Sequence, residues 1–95
     1  MTYSPLQTPR FTRMRKKLPL ALREAIDREV KRVCDCPSLG EAKKGDLQSV
    51  RVDKFSFVGQ LYLLAYWVDD GAKTVTFLAV GGHEDFYRDL KHYVK

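Results

Sequence analysis

The run at residues 61–68, LYLLAYWV, is apolar on both parities, with Leu61, Leu63, Ala65 and Trp67 on one and Tyr62, Leu64, Tyr66 and Val68 on the other. Side chains of a strand alternate between two faces, so a strand of this composition must be covered on both sides. Its neighbours, residues 48–57 and 73–80, carry more polar side chains. Gly59-Gln60 and Asp69-Asp70-Gly71 between the runs have hairpin chemistry. The pattern predicts an antiparallel meander with residues 61–68 in the middle.

Upstream the period changes from two to that of a helix. Thr8-Pro9 suits a helix start, since threonine caps and proline tolerates the first helical position, and Phe11, Met14 and Leu18 follow at helical spacing. Leu18-Pro19 interrupts, because the residue before a proline is pushed out of the helical region. A second helix opening at Pro19 then aligns Leu22, Ile26, Val30 and Val33 as one apolar stripe, against a face carrying Arg23, Asp27, Arg28, Lys31 and Arg32. The two segments read as a helical hairpin. Residues 35–46, with Pro37, Gly40 and Gly45, have turn composition. After Gly81-Gly82, the helical spacing of Phe86, Leu90 and Val94 predicts a C-terminal helix, with Glu84 and Asp85 at its start and Lys91 and Lys95 at its end. Tyr3 and Leu6 suit a short edge strand, where Pro5 is tolerated.

These elements make an α+β chain of 95 residues, read as one domain over residues 1–95. No run reaches the roughly 18 uncharged apolar residues of a membrane span, and the first ten residues lack a signal-peptide pattern, so a cytoplasmic protein is expected. Cys34 and Cys36, one residue apart, close almost no loop and supply half of a zinc site at most; two free thiols are expected. Seventeen basic against twelve acidic side chains give a net charge of +5, which favours a polyanionic partner. The surplus is early: Arg10, Arg13, Arg15, Lys16 and Lys17 fall together without an acid, and Lys43 and Lys44 follow in the loop. Such a stretch serves either nucleic-acid binding or simply a solvated helix face.

No metal constellation, phosphate-binding loop or nucleophile elbow is present in the sequence, and no cofactor is expected. What remains is basic and aromatic. His83 and Tyr87 are one helical turn apart at a helix start, where free amides and the dipole favour a phosphate. Arg51 and Lys54 lie in the first strand of the meander, and strict alternation puts them on opposite faces. Each has a plainer alternative: His83 as a cap or surface residue, Tyr87 in the core, Arg51 paired with Asp53 or a neighbouring strand.

The order of helix, helix and three strands carries Lys16-Lys17-Leu18-Pro19, Gly45-Asp46-Leu47, Arg51-Val52-Asp53-Lys54-Phe55, Leu64-Ala65-Tyr66 and Gly82-His83-Glu84-Asp85-Phe86-Tyr87-Arg88-Asp89-Leu90. From about Thr8 onward this resembles the RelE/ParE toxins of type II toxin-antitoxin systems. The resemblance implies two N-terminal helices packed on a twisted antiparallel sheet of three to four strands with a C-terminal helix. It also implies a cognate antitoxin in a toxin-antitoxin hetero-oligomer. Ribosome-dependent members cut messenger RNA without metal, the ribose 2′-hydroxyl attacking the adjacent phosphate. By that resemblance Lys54 matches a basic or histidine strand position, His83 a basic or histidine position after the last strand, and Tyr87 the aromatic that follows. Lys54 and His83 would then move protons or stabilise charge, Arg51 would bind phosphate and Tyr87 would stack on a base. Arg10, Arg13, Arg15, Lys16, Lys17, Lys43 and Lys44 would contact ribosomal RNA. One position departs: many members carry arginine where this chain has Leu63. That leaves room for the gyrase-poisoning branch, which acts by protein contact, while the charge surplus alone supports a further alternative, a basic nucleic-acid-binding module without catalysis.

Overall fold

The computed structural model describes residues 2–43 and 49–83. In chain order the elements are β1 (Ser4–Gln7), α1 (Pro9–Lys16), α2 (Leu20–Asp35), a 3-10 turn (Pro37–Leu39), β2 (Glu41–Ala42), β3 (Arg51–Phe57), β4 (Gln60–Asp69) and β5 (Thr74–Gly82). The meander is present, with β4 paired antiparallel to β3 on one side and β5 on the other. Two expectations are corrected. The sheet has five strands, ordered β1-β5-β4-β3-β2, rather than three or four. It is also mixed, because β1 runs parallel to β5, Ser4 beside Thr74 and Gln7 beside Phe77. A parallel pair needs a long crossover, and both helices and the rest of the sheet lie between these two strands in the chain. The fifth strand comes from the turn-rich segment: Glu41 and Ala42 pair with Val52 and Arg51. The helix expected after Gly81-Gly82 lies, beyond His83, outside the described residues.

The helix starts follow from their caps. Thr8 accepts the Phe11 amide at 3.1 Å, and Pro9 takes the first helical position. Pro19 stands just before α2 as its cap residue, one position earlier than the first turn. Arg15 then ties the hairpin with two bonds to the Asp27 carboxylate, 3.0 Å from Nε and 2.7 Å from Nη2. Of the expected stripe of α2, Leu22, Ile26 and Val33 are buried and Val30 is half-buried, and the buried side also includes Glu29, only 6% exposed.

Two apolar clusters cover the two parities of β4. Leu64, Tyr66, Phe77, Val75 and Val80 pack with Phe11, Leu22, Ile26 and Val33 of the helices. The Phe77 ring lies 5.7 Å from Phe11 and 5.9 Å from Tyr66, tilted to both as aromatic quadrupoles favour. On the opposite face Val50, Val52, Leu63, Ala65, Leu78 and Ala79 form a second cluster, touched by Met14. A register shift at Ala65/Tyr66 lets Phe77 and Val80 share the helix-facing side although they are an odd three positions apart. That bulge is anchored from α1, since Thr8 Oγ1 donates to the Phe77 and Leu78 carbonyls at 3.2 and 3.3 Å.

Candidate functional site

Strand parity sorts the candidate residues. Lys54, Leu63 and Gly81 stand in one row across β3, β4 and β5. This row lies on the face away from α2, because Leu63 belongs to the second cluster. The His83 amide donates to the Leu61 carbonyl at 3.3 Å, which continues the β5–β4 pairing one step further. His83 therefore stands in the next row on the same face, with Leu61 and its β3 partner Ser56. Lys54 and His83 are both exposed. They are two strands apart, about 10 Å across the sheet. Val52, Leu63, Ala65 and Ala79 form a buried apolar floor beside them. Tyr87 lies outside the described residues.

Arg51 is not brought to this face. Its guanidinium sits on the helix-facing side, where Nη1 donates to the Gly40 carbonyl at 2.6 Å and lies 3.5 Å from the Ser38 carbonyl. It lines a cavity of about 140 Å³ with Pro37, Ser38, Val68 and Asp70. The contact belongs to a lock on the turn before β2. The Gly40 amide donates to the Tyr66 hydroxyl at 2.7 Å, and that hydroxyl donates to the Pro37 carbonyl at 2.8 Å. Burial pushes the Tyr66 phenol above its ordinary pKa, so it remains the donor this lock requires.

The basic residues divide in the same plain way. Arg13, Lys16 and Lys17 are exposed on and just after α1. Arg15 is engaged by Asp27, and Arg10 is half-buried. Lys43 is half-buried and bonds Glu41 at 2.7 Å, which holds the Glu41 carboxyl below the usual range. Lys44 lies outside the described residues. Both cysteines are free thiols, Cys34 buried and Cys36 exposed. Among the described residues no group of three or more His, Cys, Asp or Glu is arranged to hold a metal ion. No described helix is long and apolar enough to cross a membrane.

Two features escape a sequence reading. Trp67, 41% exposed, extends the odd-numbered row of β4 beyond Ala65, although its strand reads as fully covered. Glu29 and Asp53, 6% and 5% exposed, are buried carboxyls at helix and strand positions that look apolar only by phase. Their only sequence signal is that phase: Glu29 is three residues after Ile26, and Asp53 shares parity with Phe55.

Residues 6–91 match the family model described as the ParE-like toxin of type II bacterial toxin-antitoxin systems. The chain belongs to this family. No curated protein matches it by sequence. Its fold is similar to that of the toxin-antitoxin complex RelBE2 from Mycobacterium tuberculosis, at a TM-score of 0.79 and 22% identity over 87% of this chain and 100% of that one. A mutant of the E. coli toxin RelE in the free state gives 0.74 and 22%, covering 96% of this toxin and 94% of RelE. The intact E. coli RelBE complex gives 0.71 and 24%, covering 86% and 98%. The toxin thus has a RelE-like α+β fold.

Proposed function

We propose that this toxin is a cytoplasmic, ribosome-dependent endoribonuclease that cuts messenger RNA without metal and is held inactive by a cognate antitoxin in a hetero-oligomer. The observation that carries this reading is the exposure of Lys54 and His83 on one sheet face, two strands apart over an apolar floor. Attack of a 2′-hydroxyl on its own phosphate needs a base at the nucleophile, an acid at the leaving oxygen and positive charge on the phosphorane. A lysine and a histidine two strands and one row apart, about 12 Å at the backbone, reach a phosphate held between them on their long or ring side chains. Arg51, clamped to Gly40, is scaffold in this reading, and Tyr87 is assigned to the base. The partner follows from likeness: two of the similar structures are toxin-antitoxin complexes.

A second reading, a gyrase-directed toxin acting by protein contact, is favoured by Leu63. It is fully buried between Lys54 and Gly81, where many relatives carry a cation. Primer extension on a transcript with and without ribosomes, beside a gyrase supercoiling assay, separates the two. Ribosome-dependent cleavage is expected, and Lys54→Ala or His83→Ala should slow it by about a hundred- to ten-thousand-fold. Inhibited gyrase with an intact transcript would install the second reading. Folded alanine variants that cleave at the full rate would remove Lys54 and His83 from the site.

A further inference from the structure

Behind Lys54, on the helix-facing side of β3, two carboxyls are buried between α2 and the sheet. Glu29 of α2 and Asp53 of β3 are each about nineteen-twentieths buried. Glu29 Oε1 accepts Arg32 Nη1 at 2.8 Å. Glu29 Oε2 and Asp53 Oδ2 are buried and have no donor in reach. Two acceptor oxygens in that position either repel or hold a proton between them, since an ionised carboxylate has nothing to donate. A bond between the two carboxyls requires that proton, and with Glu29 taken up by Arg32 the proton belongs on Asp53, which then donates. A cavity of about 320 Å³, lined by Arg32, Leu39, Glu41, Val52, Asp53 and Lys54, lies against Asp53 and gives the proton a route to solvent.

We propose that Glu29 and Asp53 form a proton-sharing clasp between α2 and β3, which loosens when the proton is lost and displaces the neighbouring Lys54. The inference stands apart from the toxin's target. Among the described residues, the charged and titratable groups facing Asp53 are Glu29 and Arg32 from α2, Glu41 from β2, Lys54 from β3 and Tyr66 from β4. Burial raises the Asp53 carboxyl first, and the hydrogen bond and charge of Glu29 raise it further, to about 7, against a small opposing effect of Arg32. The native pKa exceeds the ordinary 3.8, so the native state binds more protons between those values. The clasp's contribution to stability is complete below the lower value and is lost as pH rises through the upper one.

The test uses the full chain in two ways. Carbon-13 NMR of the aspartate carboxyls should show Asp53 ionising near neutrality, with the Lys54 amide resonance moving at the same midpoint. Thermal melts of the wild type and of Asp53→Asn, which keeps a donor to Glu29 but cannot ionise, should diverge. Between about pH 6 and about pH 8 the wild type should lose roughly 5 °C in Tm relative to the variant. If Asp53→Asn does not fold, the NMR titration decides alone. An Asp53 carboxyl already ionised at pH 6, parallel melting curves, or a Lys54 amide indifferent to the titration would each overturn the proposal.

Discussion

At the scale of single residues, Gly40 and Tyr66 carry more of the architecture than their neighbours. A β-carbon on Gly40 would stand 2.6 Å from the Tyr66 hydroxyl and 2.9 Å from the Val52 carbonyl carbon, and the second of these is backbone that cannot swing aside. Gly40→Ala should therefore destabilise the protein by about 1–3 kcal/mol, as overpacking does in a closed space. Tyr66→Phe is the complementary change. It keeps the ring against Phe77 but leaves the Gly40 amide and the Pro37 carbonyl without the hydroxyl, at a cost of about 1–3 kcal/mol. Urea denaturation reads both. Either variant melting with wild-type stability would mean that the turn before β2 relaxes without loss. Lys54→Ala and His83→Ala belong to the same scale but to a different measurement: both are exposed, so cleavage rather than stability should fall.

At the scale of elements, the β3–β4 hairpin contains a stored cost. Phe57 pairs with Gln60, so Val58 and Gly59 form a two-residue turn with φ of 50° and 74°. Both values are positive, as a type I′ turn demands, and glycine adopts such a value freely. Val58 does not, because a β-branched side chain clashes with its own backbone in that region. It is also 84% exposed, so no packing offsets the strain. Val58→Asn should stabilise the hairpin by about 1 kcal/mol. A lower denaturation midpoint in Val58→Asn would show that valine does something at this tip beyond closing the turn. Thr8 is the opposite case, an element boundary where one hydroxyl caps α1 and holds the β5 bulge. Thr8→Val removes all three bonds and should lower stability by about 1–2 kcal/mol in the same assay.

Across the whole molecule, charge decides how the toxin meets a polyanion. The net +5 includes exposed Arg13, Lys16 and Lys17 at the end of α1, on flexible stems that reach phosphate without reading sequence. Ribosome binding should weaken as salt rises. Replacing Arg13 and Lys16 with alanine should reduce the slope of log affinity against log salt by about 1 for each residue removed. Cleavage at saturating ribosome should remain near the wild-type rate, because these side chains lie on α1 rather than beside Lys54 and His83. Loss of turnover at saturation would move them into the reacting site.

Much of this protein is written in local pattern. The two-sided apolar run at residues 61–68 determined a central strand, covered on both faces at residues 63–66, and turn chemistry on either side determined the meander, with its first turn at Val58-Gly59 rather than Gly59-Gln60. Thr8-Pro9 and Leu18-Pro19 determined the helix starts, because capping and proline sterics act over three or four residues. Parity alone separated Arg51 from Lys54. Tertiary structure decided what depends on residues distant in the chain. Nothing local states that β1 lies parallel to β5, since an edge strand's unpaired groups accept either direction. Helical and strand phase put Glu29 and Asp53 inward, but only the packing of α2 on β3 buried both carboxyls at one interface. The placing of Lys54 and His83 on one sheet face is of the same kind. Their face was set by which parity the helices covered, a choice made by the burial of Phe11, Ile26 and Val33 against Tyr66 and Phe77.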